Sequence, residues 1–284
     1  TVAAAVDAID RLAIRGAPAL GAFGALALIV GLDEQAPSTF GDATGRLEEL
    51  RTFIGDARPT AVNLRWAVDR VIDHAVSSTE TLDDLRSALL AEAHKVAEED
   101  AAACEEIGRL GHELLRTAVT IGTHCNAGRL ATAGNGTALA PMYAKAEAGE
   151  PLRVLASETR PLLQGARLTA WELDDAGIDV TVLPDAAMAS TVLSGKVDAY
   201  IVGADRIAAN GDTANKIGTV AHALAAREAG IPFYVAAPTS TIDAALPSGN
   251  HIEIEERDAS EVHEIQGKRV TPEGVAVANP AFDV

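Results

Sequence analysis

Aromatic side chains make up only 4% of this 284-residue chain, and there are just two cysteines. With so few rings, Ala and Val dominate the apolar set, a composition suited to helices packed closely on a parallel sheet. Cys104 and Cys125 lie in unlike contexts and form neither a disulfide framework nor a zinc-type spacing. The histidines show no metal-ligand spacing either, so no metal is expected. No internal repeat, low-complexity linker or charge block interrupts the sequence. No apolar run reads as long enough to span a bilayer and no signal-peptide pattern opens the chain, so a cytoplasmic protein is expected. Positive charge is the last shortage. Lys and Arg number 23 against 41 Asp and Glu, a net charge of −18, which argues against nucleic acid or an anionic membrane as partner. One small phosphate is still permitted, because a few local Arg and Lys residues decide that.

Hydrophobic residues, at 48%, are enough for a large core in one or two domains. Val2, Val6, Ile9 and Leu12 already follow a helical period, so the chain is expected to begin inside a helix, with both native ends missing. Residues 1–116 read as an all-helical domain broken at Gly16-Ala17-Pro18, Ala36-Pro37-Ser38 and Arg58-Pro59-Thr60. From residue 117 to 284 the period changes. Apolar runs at 118–121, 152–156, 178–183, 197–202 and 233–236 alternate with helical stretches, which predicts βαβ units and a parallel sheet with helices on both faces. Residues 81–116 form a helix long enough to bridge the two domains.

Chemistry concentrates in five stretches. In VDAYIVGADRIAANGDTANKIG, residues 197–218, a buried strand places Asp205 at its C-terminal edge, where open parallel sheets bind ligands. A loop at Asn210-Gly211 follows. Asp212 or Thr213 is expected to cap a helix whose first turns carry Asn215 and Lys216, an anion site. In IRGAPALGAFGA, residues 14–25, Arg15 precedes a helix with Pro18 in its first turn, and Gly21 and Gly24 allow close helix packing. In ARPTAVNLRWAVDR, Arg58 lies in an extended turn and Thr60 is expected to cap the next helix.

In THCNAGRLATAGNGTAL a strand delivers Cys125 and Asn126 to its C-terminal edge. A thiol there is expected to be partly ionised by helix-end N–H groups and to act as an acid or base. His124 should point away from Cys125 if the strand persists, and Cys104 reads as a small core residue. In SETRPLLQGARLTAWEL, Pro161 starts a helix with Gln164-Gly165 in its first turn, where Gln164 can hydrogen-bond a sugar hydroxyl. Gly134-Asn135-Gly136 and Glu158 imitate a dinucleotide fingerprint. Leu139 stands in place of the third glycine, so a nicotinamide cofactor is not expected.

These stretches, with PFYVAAPTSTID and VANPAFDV, resemble the methylthioribose-1-phosphate isomerase family in order and spacing. That family is related to regulatory subunits of the eukaryotic translation-initiation guanine-nucleotide exchange factor. The resemblance implies a small helical domain followed by a Rossmann-like α/β domain, a homodimer, and no metal or nucleotide cofactor. It makes Cys125 and Asp205 the catalytic pair, and Arg15, Gly16, Ala17, Arg58, Gln164, Asn215 and Lys216 the ligand-binding residues. The implied reaction turns an aldose 1-phosphate into the ketose 1-phosphate in methionine salvage. Asn135 departs from the family, where an aromatic is common, and related enzymes act on 5-deoxyribose 1-phosphate or ribose 1,5-bisphosphate.

Overall fold

The computed structural model describes residues 1–58 and 61–284; the expected cap Thr60 and its neighbour Pro59 lie outside them. Five helices come first: α1 (Val2–Asp10), α2 (Ala17–Gln35), α3 (Phe40–Gly55), α4 (Val62–Ser78) and α5 (Leu82–Leu114). Thr39 and Thr81 cap α3 and α5, each accepting the N–H three residues on, from Asp42 and Asp84. Helix α2 is central. Its Ala25, Leu28 and Leu32 pack among Leu47 and Leu50 of α3, Leu64 and Val68 of α4, and Leu85 and Leu89 of α5. Gly21 faces α4 so closely that a Cβ there would lie 3.0 Å from the Asn63 carbonyl oxygen, so the close-packing reading of that glycine holds. The expectation about apolar runs needs correcting here: α2 is long and apolar enough to cross a bilayer, but most of it is buried inside the protein. An all-round apolar helix is what the centre of a helical core requires.

The second part begins with β1 (Thr120–Thr123), α6 (Ala140–Glu147), β2 (Arg153–Ser157), α7 (Ala170–Asp175), β3 (Asp179–Leu183), α8 (Asp185–Leu193) and β4 (Ala199–Val202). It continues through β5 (Arg206–Ala208), β6 (Thr213–Lys216), α9 (Thr219–Ala229), β7 (Phe233–Val235) and β8 (Ile242–Asp243). Last come α10 (Ser260–His263), β9 (Glu264–Ile265), β10 (Lys268–Arg269) and β11 (Phe282–Asp283). The five expected apolar runs form one parallel sheet in the order β3-β2-β1-β4-β7.

Alternation along the strands feeds two layers. Val154 and Ile201 meet Met142 of α6 and Leu173 of α7, while Leu155, Tyr200 and Val202 meet Met188 and Val192 of α8 and Ala225 of α9. Helix α5 bridges to this layer, its Gly108 lying against Ala140 of α6. From β1 the chain winds outward through β2 to β3, then returns to β4 on the other side of β1. The gap beyond β1 and β4 is therefore the topological switch point, where parallel sheets of this kind hold ligands.

A smaller sheet, β11-β6-β5-β8, adjoins that point and carries a correction. Residues 213–216 are strand β6, antiparallel to β5, and not the first turns of a helix. Asn210-Gly211, with Gly211 at φ 89°, makes a tight hairpin turn. The following helix, α9, starts only at Thr219, and the Asp283 carboxylate occupies its N-terminal N–H groups. A second correction concerns residues 161–169. The chain turns irregularly after Pro161, runs through a wide π-helical turn (Gly165–Thr169), and becomes α-helical at Ala170. Such wide turns recur at functional sites.

Candidate active site

One cleft opens at the switch point, between the start of α2 and the ends of β1, β4 and β6. It is lined by Cys125, Asp205, Arg15, Gly16, Ala17, Arg58, Gln164, Asn215 and Lys216, the whole set expected from the sequence. About 80 Å³ is left for the centres of water molecules, room for several waters.

Cys125 follows β1 in a left-handed conformation, φ 61°. Its N–H donates to Thr159 Oγ1 at 2.9 Å, and its carbonyl accepts from Thr169 Oγ1 at 2.5 Å. Burial works against the expected partial ionisation of the thiol. Burial pushes its pKa above the ordinary thiol range; Arg15 and Lys216 pull against that rise and Asp205 adds to it. The Asn126 N–H also favours the thiolate, but burial outweighs it. His124 is no base for the thiol. Its Nε2 meets the Ile217 carbonyl at 2.8 Å, its Nδ1 faces Thr159 Oγ1 at 3.4 Å, and burial depresses its pKa to about 4. Cys104 is buried in α5 with its pKa pushed up by burial to about 11, a core residue as expected.

Asp205 lies three residues past β4, half-buried, and lines the cleft. Burial raises its pKa, against the pull of Lys216, Arg58 and Arg15, with Glu255 adding to the rise. A carboxyl so placed holds its proton further up the pH scale than a free one and can serve as an acid.

The cations come from three separate parts of the chain. Arg15 donates through Nη1 to Asn126 Oδ1 and through Nη2 to the Asn126 carbonyl, the latter at 2.9 Å. Arg58 Nη2 donates to Glu255 Oε2 at 3.0 Å, while its buried Nε has no partner among the described residues. Lys216 Nζ donates to the Ala281 carbonyl at 3.0 Å and lies 4.7 Å from the centre of the Phe282 ring. Gln164 Oε1 is also buried without a partner among the described residues, and Asn215 Nδ2 donates to Thr219 Oγ1 at 2.9 Å. Gly16 enters α2 at φ 95°, where a Cβ would lie 2.5 Å from the Ala131 carbonyl oxygen. No side chain among the described residues caps α2, which leaves its first-turn N–H groups open to an anion. Two lining residues were missed by the sequence reading: Arg257, held by Glu255 and Glu261, and Phe282 of β11.

Among the described residues no cluster of His, Cys, Asp and Glu is arranged to hold a metal ion. The donors suit an anion instead: the guanidiniums of Arg15, Arg58 and Arg257, the Lys216 ammonium and the start of α2, beside a protonatable carboxyl and a thiol.

A family model described as the Initiation factor 2 subunit family matches residues 13–284. The chain belongs to that family. Within it, the chain is 51% identical over 279 residues to a methylthioribose-1-phosphate isomerase of Geobacter metallireducens, covering 98% of this chain and 81% of that protein. It is 50% identical over 279 residues to a 5-deoxyribose 1-phosphate isomerase of Moorella thermoacetica, covering 98% and 80%. Among solved structures it is similar to a 5-methylthioribose 1-phosphate isomerase from Pyrococcus horikoshii OT3, at TM-score 0.89 and 42% identity, covering 100% of this chain and 79% of that one. The chain spans about four fifths of the length of each of these three proteins.

Proposed function

We propose that this chain is an aldose–ketose isomerase that converts 5-methylthioribose 1-phosphate into 5-methylthioribulose 1-phosphate, a step of methionine salvage. The observation that carries the reading is the placement of Cys125 and Asp205 at one switch point, facing Arg15, Arg58 and Lys216. The 51% identity to a methylthioribose-1-phosphate isomerase supports it. In this reading the protein works in the cytoplasm as a homodimer and without a metal or nucleotide cofactor.

The anomeric phosphate blocks spontaneous ring opening, so an acid must assist the ring oxygen. Asp205, whose hold on its proton burial strengthens, donates that proton to the ring oxygen as the bond to C1 breaks. Hydrogen then passes from C2 to C1, and the C2 hydroxyl loses its proton, leaving a ketone at C2. Asp205, now a carboxylate, is the final acceptor of the C2 hydroxyl proton, which the neutral Cys125 thiol relays by taking it up while releasing its own, so both groups end as they began. Arg15, Arg58, Lys216 and the start of α2 hold the phosphate, so that it is not expelled from the open-chain species.

The test is turnover of a small panel by purified protein, each substrate followed by NMR: methylthioribose 1-phosphate, 5-deoxyribose 1-phosphate and ribose 1,5-bisphosphate. The reading expects the highest kcat/KM for the first. A higher value for either of the others replaces the substrate, and no turnover of any removes the isomerase.

A further inference from the structure

Glu172, near the start of α7, is a charged side chain that the proposed mechanism leaves unused. It is 3% exposed. No Lys, Arg or His pairs with it among the described residues, and the Arg129 guanidinium nearby stacks over the Tyr143 ring, 4.4 Å from its centre. A buried carboxylate without a cation persists only where hydrogen-bond donors replace its water. Glu172 has four. Oε2 accepts from Arg129 N–H at 2.6 Å and from Tyr143 O–H at 2.9 Å; Oε1 accepts from Asn126 Nδ2 at 2.8 Å and from Leu130 N–H at 3.3 Å.

The Asn126 bond gives this arrangement a direction. An amide has a donor end and an acceptor end, and a carboxylate accepts only. With its NH2 drawn to Glu172, and also 3.3 Å from Thr169 Oγ1, Asn126 must present Oδ1 on its other side. That oxygen, with the Asn126 carbonyl, is what Arg15 grips. Turned over, the amide would set its NH2 against the guanidinium, donor to donor, and Arg15 would lose its hold.

We infer that Glu172 is a positioning residue for the phosphate: it fixes the Asn126 amide in the one orientation that holds Arg15 in the cleft. This rests on the reading above that Arg15 receives the phosphate.

Glu172→Gln tests the inference with little change of shape. An NH2 at the Oε2 position would oppose Arg129 N–H, fixed by the backbone at 2.6 Å, whereas at the Oε1 position it meets the more distant Leu130 N–H, at 3.3 Å, so the new amide turns its NH2 toward Asn126, whose own amide can turn over. Inorganic phosphate, measured by calorimetry, is the probe. Glu172→Gln should bind it about tenfold more weakly, the scale of one charge-assisted hydrogen bond. Tyr143→Phe removes another donor from the same carboxylate without touching the amide, and should bind phosphate as wild type does. Arg15→Ala should weaken binding at least as much, and Glu172→Gln on that background should weaken it no further, because the two changes act through one contact. In turnover the loss should fall on KM, with kcat within about twofold.

Unchanged phosphate affinity in Glu172→Gln, a loss that adds fully to that of Arg15→Ala, or no phosphate binding by the wild type each overturns the inference. If Glu172→Gln does not fold, Asn126→Ala removes the side-chain acceptor of Arg15, keeping the backbone carbonyl, while leaving three donors on Glu172. The same loss is then expected, and unchanged affinity overturns the inference. Turnover of methylthioribose 1-phosphate by the wild type is scored separately. It decides the isomerase reading, whereas phosphate binding decides the role of Glu172.

Discussion

Asp283 closes the start of α9 on Gly218: its Oδ2 accepts the Gly218 N–H at 2.8 Å, and its Oδ1 accepts that of Val220 at 3.1 Å. The same short strand, β11, supplies the Phe282 ring, and Ala281 just before it the carbonyl, that hold Lys216. Asp283→Ala should therefore cost about 1 kcal/mol of stability for the lost cap and also raise KM for the sugar phosphate. Urea unfolding and steady-state kinetics check both. A variant that loses stability with KM unchanged would break the link between the cap and the site.

Asp205 has a stability signature that is separable from catalysis. Its folded pKa lies above the ordinary carboxylate value of about 3.9 because burial disfavours the charge. Between those two values the native state binds more protons than the unfolded chain, so stability falls as pH rises through that window. Asn imitates the neutral form. Asp205→Asn should melt higher than wild type at pH 8, with the gap closing toward pH 4. A gap that does not vary with pH would contradict the raised pKa.

The buried histidines act with the opposite sign. Burial holds His124 at about 4 and His222 at about 3, below the ordinary value of about 6.5. As pH falls below that ordinary value, the unfolded chain takes up protons that the native state refuses. Their contribution is full above pH 6.5 and is lost on the way down to 4. His222 stacks on Tyr200, with ring centres 5.2 Å apart, and its Nδ1 has no partner among the described residues. His222→Phe should keep the melting temperature at pH 7 and make its fall toward pH 4 shallower. An acid limb parallel to that of wild type would show that His222 does not titrate as described.

Gly16 tests the start of α2. Its φ of 95° and its contact with Ala131 leave no place for a Cβ. Gly16→Ala should cost about 1–3 kcal/mol and raise KM by shifting the first turn of α2. A wild-type urea midpoint and KM would show that the backbone there yields freely.

How much was legible beforehand depended on which signal each residue carries. The five parallel strands were readable because both faces of a parallel sheet are covered, which makes each strand a continuous apolar run. Cys125 and Asp205 followed, since the ends of such runs mark the ligand edge. Asn215 and Lys216 were placed in the cleft but on the wrong element. Asp212 and Thr213 look like helix caps, and the Asn210-Gly211 hairpin signal before them was given too little weight. The raised pKa of Cys125 was out of reach of the sequence because burial sets it, and the burial of this thiol is a product of tertiary packing. Arg257 and Phe282 were out of reach for the same reason: they enter the site only through tertiary pairing, β11 with β6 and Arg257 with Glu255 and Glu261.

The most direct test is to follow the anomeric proton of methylthioribose 1-phosphate by NMR with wild type, Cys125→Ser and Asp205→Asn, each shown to be folded by its melting curve. The account predicts loss of the signal with wild type, and turnover slowed by about a thousandfold or more in both variants, the order of effect for removing a group that carries a proton in the transition state. Near-normal turnover in either folded variant would contradict the assignment of that residue to the chemistry.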